Sequence, residues 1–445
     1  MTDSSAQRRI LVVGAGYVGL TTAACFAHLG HDVICADIDR AKVASLSAGV
    51  VPIRENDLDV LVAEGIAGRR LRFVISAEAV APSCEFAFLC VPTPLRPDGE
   101  TELSYLLSAI GSVAPHLAPG SVVVTKSTVP VGTAGKIEAA MGRPDVALAS
   151  NPEFLREGSA VHDFLHPDRI VVGADDPAAA QRVAALYTGV EAPVHITDPT
   201  SAETVKYAAN AFLAAKVSFV NAIAAVCEAV GADVDAVLTG VGTDHRIGSA
   251  YLQPGPGWGG SCLPKDTRAL LSVSSDAGYV FELLEGVIRV NEQQLDRVAA
   301  KAARIISPES GDGRLDGRTV ALLGLTFKAG TDDMRGSPAM LVAERLHAAG
   351  ARITAYDPAV RDELTGRPGV DADLASVIEV QPSPFDALRG ADAAVVVTEW
   401  AEFADLDWER AATEMAAPRV VDARNLLDPQ RMRAAGFAYD GLGRR

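Results

Sequence analysis

Ile10-Leu11-Val12-Val13-Gly14-Ala15-Gly16-Tyr17-Val18-Gly19 is the stretch from which the fold can be built. Its four apolar residues predict a short buried strand, and Gly14, Gly16 and Gly19 predict a tight turn opening a helix to about Leu29. A second strand, Val33 to Ala36, runs into Asp37, 18 residues after Gly19. Such a βαβ unit points bare backbone N–H groups and a helix dipole at a pyrophosphate. The acid is then placed to accept from ribose hydroxyls and to repel a 2′-phosphate. The spacing implies a dinucleotide site that takes NAD rather than NADP; the alternative is a turn without a ligand.

Further apolar strands are expected at Phe86–Cys90, Ser121–Thr125 and Val146–Ala149, with helical patterns between most of them. That is the pattern of a parallel, doubly wound sheet. From Glu203 to about Val230 there is no Pro or Gly, and Val205, Ala209, Phe212, Phe219, Ile223, Cys227 and Val230 recur at helical spacing. One long amphipathic helix is predicted there. A second βαβ unit begins at Arg318: Val320 to Leu323 runs into Gly324, and Gly350 precedes Asp357 by seven residues, as Gly30 precedes Asp37. The interval between glycines is 16 residues from Gly14 to Gly30 but 26 from Gly324 to Gly350, so ten extra residues sit in the second turn. That turn carries Lys328 and Arg335 at the carboxyl end of a strand, where open sheets bind ligands. The reading is an internal duplication with a modified anion site. The fold class is therefore α/β, with two doubly wound Rossmann-like parallel-sheet domains joined by a long central helix.

At 445 residues the chain has room for roughly three domains, and 49% hydrophobic against 22% charged residues fits a globular protein with large cores. Forty Lys and Arg against 57 Asp and Glu give a net charge of −17, which argues against nucleic acid or an anionic membrane as partner. Cys25, Cys35, Cys84, Cys90, Cys227 and Cys262 show neither CxxC pairs nor zinc-like spacing, so reduced thiols in a cytoplasm and no metal are expected. Arg8 and Arg9 precede an uncharged run from Ile10 to His31 that imitates an export signal or a membrane span, but its glycines fit the turn better.

Three loops follow strand ends: Val91 to Pro94, Lys126 to Pro130, and Asn151 to Glu157. They make Thr93, Thr128 and Glu153 candidates, against ordinary loop chemistry with Asn151 as a helix cap. If a helix starts at Pro152, Glu153 and Glu157 share a face. Lys206 and Asn210, four apart on the long helix, offer a cation and an amide to an oxyanion, or else are a snorkelling Lys beside a solvated Asn. The least ordinary stretch is Gly255-Pro256-Gly257-Trp258-Gly259-Gly260-Ser261-Cys262-Leu263-Pro264-Lys265-Asp266. Its glycines let backbone approach a ligand, and a cation or helix N-terminus beside Cys262 would favour a reactive thiolate.

These pieces together resemble the UDP-glucose 6-dehydrogenase family of nucleotide-sugar dehydrogenases, from about Ile10 to Pro429. GAGYVGL, CVPTP, KSTVPVGT, NPEFLREGSA, TVKYAANAFLA, GTDHRIG, GGSCLPKD and GLTFKAGTDDMRGSP stand in the family's order and near its spacing. The resemblance implies a four-electron oxidation in which a primary alcohol becomes an aldehyde and then a carboxylate, two NAD being reduced in turn. Cys262 would be the nucleophile, passing through a thiohemiacetal and a thioester. Asp266 and Thr128 would hold the water acting as base, Lys206 and Asn210 would stabilise oxyanions, and Glu153 would assist the hydrolytic water.

The implied cofactor contacts are Gly14, Gly16, Tyr17, Val18, Gly19, Asp37, Lys42, Thr93, Thr128, Glu157, Lys265 and Arg335. The implied substrate contacts are Glu153, Phe154, Leu155, Arg156, Lys206, Asn210, Arg246, Tyr251, Gly259 and Lys328. Glu157 would support Lys206 or substrate, Lys328 and Arg335 would face the diphosphate, and Arg246 would reach the neighbouring subunit's substrate. The implied division is an NAD-binding domain at 1–199, a helical dimerisation domain with the Cys loop at 200–306, a linker at 307–317 and a nucleotide-sugar domain at 318–445. A homodimer or higher homo-oligomer follows. After Pro52 the sequence departs from the family's acid-Pro-Gly pattern, reading Ile53-Arg54-Glu55-Asn56-Asp57, and no contact is assigned to that loop. The Gly-Gly-Ser-Cys run resembles the UDP-glucose and GDP-mannose branches more than the N-acetylhexosamine branch, and overall likeness favours a UDP-sugar, UDP-glucose, over GDP-mannose. Two rivals remain: a two-electron hydroxyacid or 6-phosphogluconate-type dehydrogenase, and a non-catalytic NAD-binding scaffold. Neither has a use for Cys262.

Overall fold

In the computed structural model, residues 7–94, 96, 100–309, 311–361 and 363–444 are described, so position 310 of the expected linker lies outside them. The chain divides into two compact units, Met1–Ala209 with Ser272–Ala277, and Asn210–Leu271 with Gly278–Arg445.

The first unit holds a sheet of β1 (Arg9–Val13), β2 (Asp32–Ala36), β3 (Leu71–Val74), β4 (Phe86–Leu89), β5 (Val122–Thr125), β6 (Ala147–Ser150), β7 (Ile170–Gly173) and β8 (Val194–Thr197). Their order is β3-β2-β1-β4-β5-β6-β7-β8. The first six strands are parallel, whereas β7 pairs antiparallel with β6 and carries β8 alongside, a reversal the sequence did not announce. Along β1, Ile10 and Val12 enter one buried layer and Leu11 and Val13 the other. A strand covered on both faces is apolar throughout, which is why its sequence shows no alternation.

The second unit holds β9 (Thr319–Leu323), β10 (Arg352–Tyr356), β11 (Ile378–Val380), β12 (Ala393–Val396), β13 (Arg419–Asp422) and β14 (Ala438–Gly441). These are all parallel, in the order β11-β10-β9-β12-β13-β14, which repeats the order of the first six strands of the first sheet. The repeat extends to the turns. Gly14 N donates to Ala36 O at 2.7 Å and Gly324 N to Tyr356 O at 2.8 Å. Both glycines have positive φ, 100° and 105°. A Cβ on Gly14 would stand 2.5 Å from Cys90 O, and one on Gly324 2.3 Å from the Cβ of Thr398, so only glycine fits either strand crossing.

Six helices position the site: α1 (Tyr17–His28), α2 (Thr133–Met141), α3 (Pro199–Val230), α4 (Leu263–Asp276), α5 (Glu282–Ile306) and α6 (Pro338–Ala348). At 32 residues, α3 begins four residues before the predicted start. Pro199 has its φ set for a first helical position, and Asp198 accepts from Ser201 N at 2.8 Å. The uncharged run from Ile10 to His31 is occupied by β1, the glycine turn and α1. Among the described residues α3 alone is long and apolar enough to cross a membrane, with 33% of its most apolar window buried. No helix starts at Pro152: 151–156 is irregular and the next helix is Ala160–Leu165. Glu153 and Glu157 therefore share no helical face, and Asn151 caps nothing.

Candidate active site

At the end of β1 the chain turns through Gly14, Ala15 and Gly16 into α1, whose first turn has no side-chain cap. A Cβ on Gly16 would meet nothing within 4 Å, so a ligand can approach that backbone, while one on Gly19 would stand 1.9 Å from Gly14 O. Val18 packs on the core layer behind the turn. Asp37 Oδ2 accepts from Ala15 N at 2.8 Å and from Lys42 Nζ at 3.0 Å, and Oδ1 accepts from Asp39 N at 2.9 Å. Burial works against its charge, but these N–H groups and the Lys42 ammonium outweigh it and hold the carboxyl below its ordinary range. An uncapped helix N-terminus with an ionised acid at the second strand end fits the pyrophosphate and ribose of NAD. The duplicated turn has used up both features. Ser337 caps α6 through Ala339 N, and the fully buried Asp357 accepts from Leu325 N (2.8 Å), Thr326 N (3.0 Å), Thr326 Oγ1 (3.0 Å) and Trp400 Nε1 (3.1 Å).

The first unit brings together Thr93 and Thr128, Thr93 Oγ1 donating to Thr128 O at 2.8 Å, and joins Glu153 to Lys206. Lys206 Nζ lies 2.9 Å from Glu153 Oε1, and both side chains are buried. Glu153 Oε2 turns back to accept from Leu155 N at 2.6 Å, which keeps this segment out of a helix. Burial pushes the Glu153 carboxyl up, yet Lys206, the Leu155 N–H and Lys126 hold it below its ordinary range. The Phe154 ring sits 5.5 Å from Lys206 Nζ and 3.6 Å from the Arg169 guanidinium. Beside Lys206, a cavity of about 10 Å³ is lined by Thr128, Glu203, Thr125 and Ser150, the last two with buried hydroxyls that have no partner. That is room and polarity for one water.

The loop before α4 supplies the second unit's part. Asn221 Oδ1 accepts from Gly255 N (2.9 Å), Gln294 Nε2 donates to Gly255 O (2.7 Å), and Asn291 grips Trp258 by both N (2.8 Å) and O (3.0 Å). Trp258 Nε1 donates to Ser218 Oγ at 2.8 Å. The ten-residue insertion becomes the seat of this loop: Gly260 N donates to Gly336 O at 3.2 Å, and a Cβ on Gly259 would stand 2.1 Å from that same oxygen. Cys262 thereby stands immediately before the first turn of α4, with Asp266 N donating to its carbonyl at 2.8 Å. It is half-buried, whereas the other five cysteines are buried, and burial pushes the Cys25 and Cys90 thiols up to about 12. A helix N-terminus favours thiolate, burial in an apolar core opposes it. Asp266, fully buried, accepts from Asn210 Nδ2 and from Lys265 Nζ, each at 2.6 Å. Lys206 and Asn210 are thus each tied to a carboxylate, and neither is a solvated surface residue.

The remaining expected residues have other company. Arg156 forks onto Asp163 (2.6 Å), Arg335 onto Asp333 (2.8 Å) and Arg246, largely exposed, onto Asp244. Lys328 Nζ lies 5.6 Å from the Phe327 ring centroid, and Glu157 lies in the turn after Arg156. Tyr251 is half-exposed with φ of 61°, backbone strain in the loop before Cys262. Tyr17 OH accepts from Gly158 N at 2.8 Å. Sequence reasoning missed the clamps Asn221, Asn291 and Gln294, whose partners lie 33 to 39 residues away. It also left Glu55 unassigned. That carboxylate accepts from Gly158 N (2.7 Å) and Ala160 N (2.9 Å), capping the helix Ala160–Leu165, with Asn56 donating to Gly158 O (2.9 Å).

A dinucleotide turn with an acid at the second strand end, and a separate thiol at a helix N-terminus, mark an NAD-dependent oxidoreductase. Residues 8–191 match the NAD binding domain of the UDP-glucose/GDP-mannose dehydrogenase family, 200–293 its central domain and 321–429 its UDP binding domain, and the chain belongs to that family. It is 41% identical over 443 residues to the UDP-glucose 6-dehydrogenase TuaD of Bacillus subtilis (strain 168), covering 98% of this chain and 93% of that one. It is 43% identical over 446 residues to the UDP-glucose 6-dehydrogenase of Rhizobium meliloti (strain 1021), covering 98% and 99%. Among solved structures it is similar to a UDP-glucose dehydrogenase of the hyperthermophilic archaeon Pyrobaculum islandicum, with TM-score 0.87, 34% identity and 100% of each chain covered.

Proposed function

We propose that this chain oxidises UDP-glucose to UDP-glucuronate in two successive steps with Cys262 as nucleophile between them. The observation that carries this reading is the placement of Cys262: a half-buried thiol at the start of α4, in a glycine loop clamped by Asn221, Asn291 and Gln294. A two-electron dehydrogenase or a scaffold has no use for it. NAD, held by residues 14–19 and Asp37, supplies the hydride acceptor when bound. The names of these relatives favour UDP-glucose as the sugar.

In the first oxidation the C6 hydroxyl loses its proton to a water that Asp266 and Thr128 are assigned to order, C6 gives up its first hydride, and the aldehyde forms. The Cys262 thiolate adds to that carbon, and the resulting alkoxide is stabilised by the Lys206 ammonium and the Asn210 amide. Loss of a second hydride leaves a thioester. Glu153, ionised and bonded to Lys206, takes a proton from the attacking water, and the thiolate departs as the carboxylate forms. We also assign the residues at 200–306 to dimerisation. Val205, Phe212, Phe219 and Val226 are exposed on α3 and spaced by sevens, the repeat with which one helix packs against another. A reduced, cytoplasmic protein is in keeping with its free cysteines.

The test is product identity from UDP-glucose and, separately, GDP-mannose, for the wild type and for Cys262→Ala. UDP-glucuronate from the wild type and none from C262A is expected. A GDP-linked uronate alone would move the substrate, and unimpaired turnover by C262A would sink the mechanism.

A further inference from the structure

Three lysines among the described residues are buried, and two of them have carboxylate partners: Lys206 has Glu153, and Lys301 has Glu228 (2.8 Å) and Asp440 (2.6 Å). Lys126, 4% exposed and directly after β5, has none within 4 Å among the described residues. Its Nζ donates to Asn151 Oδ1 and to Tyr187 OH, each at 3.0 Å, and lies 5.7 Å from the Phe164 ring centroid and 5.6 Å from that of Tyr187. Tyr187 OH also donates to Asn151 Oδ1 at 2.5 Å, and Asn151 Nδ2 donates to Val171 O at 2.8 Å. An ammonium taken out of water and bonded to no carboxylate is kept against its desolvation, so a fold that keeps one has a use for its charge. Asn151 opens the irregular segment after β6, and Glu153 is two residues further along it.

We propose that Lys126 is a positioning residue for the oxidation: through Asn151 it fixes the segment that carries Glu153, and it sets a cation two residues from that carboxylate. The inference rests on the function proposed above and adds to it a residue that touches neither sugar nor dinucleotide. Burial pushes Lys126 down to about 8, so it is charged at neutral pH and loses its proton just above. The groups facing it are Cys90, Cys25, Glu153, Lys206 and Tyr187. Both thiols lie near 12 and burial pushes the Tyr187 phenol up, so these three stay neutral through the pH range in which Lys126 titrates.

The experiment compares wild type, Lys126→Met and Asn151→Ala, measuring kcat against pH with UDP-glucose. In parallel, Glu153 ionisation is followed in the protein without ligands, by infrared difference against Glu153→Gln. The wild type should lose kcat above about pH 8. K126M should have kcat lowered at least tenfold with KM little changed, no alkaline limb near 8, and a Glu153 titration moved to higher pH. N151A should lose kcat several-fold yet keep the alkaline limb, because the charge remains; if K126M does not fold, an N151A kcat equal to wild type overturns the proposal. A merely structural lysine would lower stability and leave the limb and the Glu153 titration in place, and that result overturns the proposal. The infrared titration needs no turnover, so an inactive wild type would count against the function proposed above without touching the link between Lys126 and Glu153.

Discussion

Glu203, three residues before Lys206, accepts from Gly132 N at 2.6 Å and Ala134 N at 3.0 Å, and burial pushes its carboxyl up to about 7. A carboxyl whose folded value exceeds its unfolded one contributes stability that is complete below the unfolded value and is lost as pH rises through the folded one. The window is therefore about pH 4.5 to 7. In urea titrations the stability difference between wild type and Glu203→Gln should shift toward wild type by about 2.5 kcal/mol between pH 8 and pH 5. A difference that is constant with pH would refute the raised value. Glu203 could not be singled out from sequence, because its partners are N–H groups some 70 residues away. Cys262 could, because glycines and charges crowd around it in the chain itself, whereas Cys25 and Cys90 sit in plain apolar runs.

The turn after β9 shows what an insertion into a repeated element achieves. Ten residues longer than its counterpart after β1, it consumes its own helix cap and its own acid, and presents Gly336 O to the loop before Cys262. In Gly259→Ala the new Cβ would fall 2.1 Å from that oxygen, so the loop has to move by about an ångström. Displacement on that order at a reacting group costs roughly 100-fold in rate. The expected result is kcat down by about that factor; unchanged kcat would show that the contact does not position Cys262. The duplication itself was legible, because glycine-to-acid spacing is local. The irregular path from Pro152 was not, because Pro152 and two glutamates leave a helix start open, while Glu153 is drawn off by Lys206 on a segment 53 residues away. The role of Glu55 was hidden in the same way, its partners lying more than 100 residues further along.

For the molecule as a whole, α3 leaves Phe212, Phe219 and Val226 more than half exposed at intervals of seven. A single chain gains nothing from that stripe in water, and a second copy would cover it. With that stripe as the proposed subunit contact, the wild type should sediment as a dimer and Phe212→Glu with Phe219→Glu as a monomer; equal masses would refute the contact. The proposed route uses one thiol and two NAD per sugar. It is tested most directly by counting NADH formed per molecule of UDP-glucose, with the sugar limiting and NAD in excess. Two NADH per sugar are predicted, and one per sugar, with the aldehyde released as final product, would contradict the thioester route through Cys262.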